Sequence, residues 1–231
     1  GACAAPEGEL ARAQWLHQTL VLDNQVFLEH DPEQAAGKLA KMGEKIYPFF
    51  RGTAAQYARD VMQPGSPGYW PSAYETAETS DVALVGDPHP ENLGTFARAA
   101  DGEISVEFND FDAATFGPHG FDLRRLALGY WIATEQILRQ NAELDVIDPS
   151  GALGEEHRLA AARAVVRGYA EEIAIVAADP RQGEPMLADA SGAVLAELVE
   201  RAMEDGELRE ELADYTLVQD DQRVMLFGDV E

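Results

Sequence analysis

Asp87, Asn92 and Asp110 are the residues of this chain whose types and spacing suit chemistry, with His89, Asp112 and Asp122 close by. Hard divalent cations such as Mg²⁺ take oxygen ligands and draw only one or two carboxylates from a protein. A carboxylate left over beside such a site can take the proton of a hydroxyl. Singly, each of these residues reads as an Asx-turn or a cap in a polar loop. As a set, they read as a site for one or two metal ions with a spare Asp beside it.

The elements that must position them lie in residues 82–126. Val82 to Val85 is a short apolar run and reads as a buried strand. It breaks at Gly86 into a loop holding Asp87, His89, Glu91 and Asn92. A hairpin follows, with arms Leu93 to Arg98 and Ile104 to Asn109 and a tip at Asp101-Gly102, a strong turn signal. The second arm alternates, with Ile104, Val106 and Phe108 on one face and Ser105, Glu107 and Asn109 on the other. If Asp101 and Gly102 are the two turn residues, Leu93 lies opposite Asp110. Asp110 then sits next to Asn92, and Asp87 lies on the loop just before.

These runs carry a resemblance. Asp87, then Asn92, then a hairpin, then an Asp resembles the order of catalytic and metal-binding segments in protein kinases. The run Gly86-Asp87-Pro88-His89-Pro90-Glu91-Asn92 is more similar to the loop of aminoglycoside phosphotransferases and choline kinases. Closer again is a bacterial domain-of-unknown-function family of the protein-kinase-like superfamily. Its members carry Phe-x-Arg-Gly, Gly-Asp-x-His-x-x-Asn, Asn-Asp-Phe-Asp and Asp-Leu-x-Arg-Leu runs in that order. Here they are Phe49-Phe50-Arg51-Gly52, the 86–92 loop, Asn109-Asp110-Phe111-Asp112 and Asp122-Leu123-Arg124-Arg125-Leu126. The likeness covers about residues 40–135, and the four ordered motifs are together specific where each alone is weak.

The resemblance implies an α+β fold: a mostly helical kinase-like catalytic lobe with a small hairpin at its site. It implies one kinase-like domain over 1–231, incomplete at its C-terminus. The implied activity is ATP-dependent transfer of a phosphoryl group to a small-molecule hydroxyl. Asp87 would orient and deprotonate the acceptor, and Asn92 and Asp110 would hold Mg²⁺ or Mn²⁺. His89 would position the Asp87 loop by a backbone hydrogen bond, the alternative being a plain surface histidine. Asp112 would support the metal site. Asp122 would cap the helix it precedes and tie the loop to it. Arg51 suits a phosphate clamp, since its planar fork fits phosphate oxygens, and it suits an ion pair equally well.

A kinase also needs a Gly-rich loop over the phosphates and a Lys that reaches them. No Gly-x-Gly-x-x-Gly occurs in the chain, and no Lys follows Lys45. The nucleotide-clamping lobe therefore reads as largely absent. That leaves two rivals: a non-catalytic kinase-like binding or regulatory module, and a metal-dependent phosphoesterase using water as nucleophile. The phosphoesterase lacks a second His/Asp cluster for two metals.

The rest of the chain reads as helix. Glu9 to about Asp23 has helical spacing. Asp31-Pro32 is an N-cap followed by Pro at the first helical position, opening a helix to about Ile46 that holds all three lysines, Lys38, Lys41 and Lys45. Pro48 is expected to end it. Thr53 to Met62 reads as a short helix with Ala54, Tyr57, Ala58 and Val61 on one face. Residues 63–80 are a Pro/Gly/Ser loop whose Tyr69, Trp70 and Tyr74 are expected to fold down over the core. After the motifs, a helical stripe runs from Leu123 to Leu138, and residues 141–154 form a loop. A helix from Glu155 to Ala177 turns Leu159, Val165, Val166, Tyr169 and Ile173 inward. Another spans Ala193 to Met203, and Val224 to Phe227 starts a strand.

With 231 residues and 46% hydrophobic content, the chain can build a real core. Its net charge of −25 excludes nucleic acid and anionic membranes as partners, since both need basic patches. The acidic residues are spread along the chain, as on a solvated acidic surface. No apolar stretch reaches the ~18 residues of a transmembrane helix. The expected partners are a small-molecule acceptor and a nucleotide. Cys3 alone excludes an internal disulfide and fits a cytoplasmic protein. The alternative, read from Gly1-Ala2-Cys3, is an exported lipoprotein anchored through Cys3.

Overall fold

A computed structural model describes residues 8–97, 102–143, 154–182, 186–187, 196, 199–200, 216–219 and 222–225. The expectations for Cys3, the tip residue Asp101, most of the helix 193–203, and Leu226 and Phe227 lie outside the described residues. The class is α+β and mostly helical, as expected. The chain divides into two compact units, Gly1–Asn92 with Phe108–Gly183 and Leu93–Glu107 with Glu184–Glu231.

The first unit begins with α1 (Glu9–Asp23), which stops at Asn24. Asn24 is buried, and its side chain donates to the Leu20 carbonyl at 2.8 Å. A short helix α2 (Gln25–His30) that the periodicity did not reveal follows. The helix α3 (Pro32–Glu44) opens as expected: Asp31 Oδ1 accepts from the Gln34 N–H at 2.9 Å, with Pro32 in the first turn.

Pro48 does not end this helix. The break falls at the extended Lys45, and Pro48 sits in the first turn of a separate helix, α4 (Ile46–Gly52). A first-turn residue has no intrahelical partner for its N–H, so proline costs nothing there. The helix α5 (Ala54–Met62) buries Gln56 fully, and the expected face of Ala54, Tyr57, Ala58 and Val61 is only half-buried. Its contact with α1 is polar. Gln56 donates to Thr19 and Asp23, while Arg12–Asp60 and Arg59–Asp23 pair across it.

The strand β1 (Val82–Leu84) pairs antiparallel with β4 (Thr115–Gly117), Val82 opposite Gly117. Between them the chain leaves for the second unit, which holds β2 (Leu93–Ala97) and β3 (Ile104–Phe108). The helix α6 (Gly120–Glu143) then packs along α7 (Glu155–Ala178). Glu135 on α6 pairs with Arg139 and with Arg158 of α7, and Arg158 lies 5.1 Å over the Trp131 ring. The inward stripe expected on α7 is partly solvent-facing, since Leu159, Val166, Tyr169 and Ile173 are all exposed. The loop aromatics also differ from expectation: Trp70 and Tyr74 are 76% and 82% exposed, so neither covers the core. That loop is held by turns among its own Ser and Thr side chains, which leave its rings outside.

In the second unit, β2, β3 and β5 (Met186–Leu187) form one sheet, with Ser105 opposite Leu187. A second hairpin joins β6 (Thr216–Gln219) and β7 (Gln222–Met225). On β3, Ser105 is as buried as Val106, so the expected polar face is not simply solvated. Ser105 Oγ satisfies itself on Glu107 at 2.6 Å.

Candidate functional site

The loop after β1 is clasped by a helix. Asp122, in the first turn of α6, accepts from the Val85 N–H at 2.7 Å and the Gly86 N–H at 3.1 Å. The expected tie between loop and helix is therefore present, but Asp122 lies inside the helix rather than ahead of it. Burial pushes its carboxyl above the usual range, against the pull of those two N–H groups and of Arg125. Gly86 has φ +88°, and a Cβ there would stand 1.9 Å from the Ala113 carbonyl oxygen. Only glycine allows both the left-handed backbone and this approach. The contact sets the Asp87 loop against the Asp110–Ala113 segment.

Asp87 is held from below. Its Oδ1 pairs with Arg125 through Nε and Nη2. Arg125 is fully buried and donates from Nη2 to the Phe50 carbonyl at 3.2 Å. Its guanidinium lies 4.4 Å from the Phe50 ring centroid and 5.1 Å from that of Tyr57. Two aromatic faces and an anion thus surround the guanidinium. Among the described residues nothing donates to Asp87 Oδ2, which leaves one carboxylate oxygen for a ligand. Sequence reasoning gave Arg125 no role. Its signal was the four-residue step from Phe121, which sets both residues on the buried face of α6.

Asn92 is buried, and its Nδ2 donates to the Asp87 carbonyl at 3.1 Å. Its own carbonyl accepts from the Asn109 N–H at 3.0 Å. The expected register, with Leu93 opposite Asp110, would instead have set Asn92 across from Phe111. The observed pairing, read from this hydrogen bond, is shifted by two residues. An even shift keeps each side chain on its face. Asp110 still follows directly on the residue bonded to Asn92. Its carboxylate is exposed, and its single contact among the described residues is a long one, from the Asp112 N–H at 3.4 Å.

No three His, Cys, Asp or Glu side chains among the described residues gather to hold a metal unaided. The oxygen set still suits Mg²⁺. Asp110 offers an uncommitted carboxylate, and the Asn92 amide oxygen receives no hydrogen bond from a described residue. Phosphates and water commonly complete such a shell.

His89 is buried, and its Nδ1 has no partner among the described residues. The ring makes no hydrogen bond to the loop backbone, contrary to expectation; it is the His89 carbonyl that accepts, from the Asn92 N–H at 2.9 Å. Burial, with Arg51 and Arg125 nearby, pushes the imidazole below its ordinary range. Arg51 closes α4 and pairs with Glu91, both half-exposed.

Asp87, His89, Glu91, Asp110 and Asp112 line one cavity of about 970 Å³ within the first unit, together with Arg51 and residues of α3. Asn92 and Asp122 are not among its lining residues.

A family model described as an uncharacterized protein conserved in bacteria, DUF2252, matches residues 30–229. No curated protein and no solved structure matches the chain.

Proposed function

We propose that this chain, which belongs to the bacterial DUF2252 family, is a kinase-like phosphotransferase that passes the terminal phosphoryl group of ATP to a small-molecule hydroxyl in the cytoplasm. The observation that supports this most is the half-used Asp87 carboxylate. Oδ1 is fixed by a buried Arg125, and Oδ2, which accepts from no described residue, belongs to a carboxylate that lines a large cavity. A base oriented through one oxygen and free at the other is what acceptor activation requires.

On this reading the acceptor hydroxyl donates its proton to Asp87 Oδ2 as its oxygen bonds to the terminal phosphorus. The bond from that phosphorus to the bridging oxygen breaks, and ADP leaves. Asn92 and Asp110 would hold Mg²⁺ or Mn²⁺, which when bound offsets phosphate charge. Arg125 fixes the angle of the carboxylate. Asp112 stands beside Asp110 and would support the metal site. Asp122 holds the loop that carries Asp87.

Two substitutions separate the roles. Asp87→Asn keeps the shape and removes the base, so turnover should fall by ~10²–10⁴-fold while metal binding measured by calorimetry survives. Asp110→Ala should lose metal binding and turnover together. ATP consumption would be followed against sugars, aminoglycosides and amino alcohols. Unchanged turnover in Asp87→Asn would overturn the assignment.

The absence of a Gly-x-Gly-x-x-Gly run favours a second reading, a binding or regulatory module that keeps the metal loop. Metal binding with no turnover of any acceptor would select it.

A further inference from the structure

In a chain of net charge −25, all three lysines line the same cavity as Asp87. Lys38 and Lys41 stand three residues apart on α3, so they share a face, and Lys45 follows at the helix end. All three are exposed, and none forms an ion pair with a described residue. Lys38 lies 5.7 Å over the Phe27 ring.

Glu44 lines the cavity beside the lysines and forms no ion pair with a described residue. Asp23, Asp87 and Glu91 already pair with Arg59, Arg125 and Arg51. Asp110 and Asp112 belong to the loop opposite. Three ammonium groups with no ion-pair partner among the described residues, gathered on one side of the cavity of a strongly acidic protein, offer an anion a place it is denied elsewhere. A second observation points to a ligand in the same place. The His89 ring, 3% exposed, lines this cavity with a nitrogen that no described residue satisfies. Buried polar atoms of this kind are normally paired.

We infer that the lysine face of α3 is a phosphate-binding wall. The phosphates belong either to the nucleotide or to a phosphorylated acceptor; only this attribution rests on the phosphotransferase reading. The wall itself needs neither metal nor turnover.

The test is calorimetric titration of the 231-residue chain with sodium tripolyphosphate, at low salt and without metal. Lys41→Gln combined with Lys45→Gln keeps helix propensity. It should weaken binding by roughly tenfold or more. Arg163→Gln with Arg167→Gln removes the same charge from exposed positions on α7 and should change it less than about twofold. Equal losses in both pairs, or no binding by the wild type, would overturn the wall. So would lysine variants that alter only thermal stability, as expected of cations that merely favour the end of α3.

Mg-ATP and glucose 6-phosphate then identify the source. A lysine-dependent loss for Mg-ATP assigns the wall to the nucleotide; one for glucose 6-phosphate alone assigns it to the acceptor. Tripolyphosphate bound through the lysines with no phosphoryl transfer would retain the wall and discard the enzyme. Transfer that ignores the lysines would do the reverse.

Discussion

Arg125 is the residue on which the Asp87 loop depends most. Taking its charge away leaves Asp87 and the Phe50 carbonyl without their donor in a buried place. Removing one partner of a buried pair costs roughly 3–5 kcal/mol, so urea denaturation of Arg125→Gln should show a loss of that order. A loss under about 1 kcal/mol, the range of an exposed pair, would mean the pair does not hold in solution. His89 gives a pH signature. Its folded pKa lies below the unfolded value near 6.5, so the unfolded chain binds the extra proton first. Stability is therefore unaffected above pH ~6.5 and falls as pH drops through the window beneath it. His89→Gln should remove its share of that slope between about pH 6.5 and 5, above the ordinary carboxylate range. Asp87, Asn92 and Asp110 were legible in the sequence because hydrogen-bonding types cluster at short spacing. Arg125 was not, because an Arg beside Arg124 reads as surface until the partner face is known.

Two motif glycines hold elements against one another and differ in kind. A Cβ on Gly52 would stand 2.5 Å from Met42 Sδ, the end of a flexible side chain on α3. At Gly86 it would meet the Ala113 backbone at 1.9 Å, on a left-handed residue. Gly52→Ala should thus cost about 1–3 kcal/mol, as overpacking does, and leave metal binding intact. Gly86→Ala should cost more and disturb metal binding as well, since it displaces the Asp110–Ala113 segment. Denaturation curves beside calorimetry would check the order, and a Gly52→Ala variant weaker than Gly86→Ala would reverse it. Helices with a cap or a long apolar stripe, such as α1, α3 and α7, were readable from sequence. The six-residue α2 and three-residue β4 were not, because neither is long enough to show a period. Pro48 was misread because proline stops a helix or starts one, and only the extended Lys45 decides which.

The charge of the whole molecule acts over longer distances. With 42 acidic against 17 basic side chains, the folded state repels itself. Raising ionic strength from about 0.01 M to about 0.15 M shortens the screening length from ~30 Å to ~8 Å. The melting temperature should therefore rise over that range, and a flat or falling curve would show that the ion pairs outweigh the repulsion. Composition made the surplus obvious, and the sequence placed every lysine on one helix. It could not show that this helix faces the Asp87 loop, which depends on contacts between residues some fifty positions apart. No helix among the described residues is long and apolar enough to cross a membrane.

The clasp of Asp122 and Arg125 on the Asp87 loop has a mechanical corollary. Both grips belong to α6, a stiff rod of 24 residues, ~36 Å from end to end. About 20 Å further along it, Glu135 is bolted to Arg158 of α7. The base is thus aimed by a lever whose far arm is fastened to another helix. A small tilt of α7 would swing the near end and turn the Asp87 carboxylate out of line.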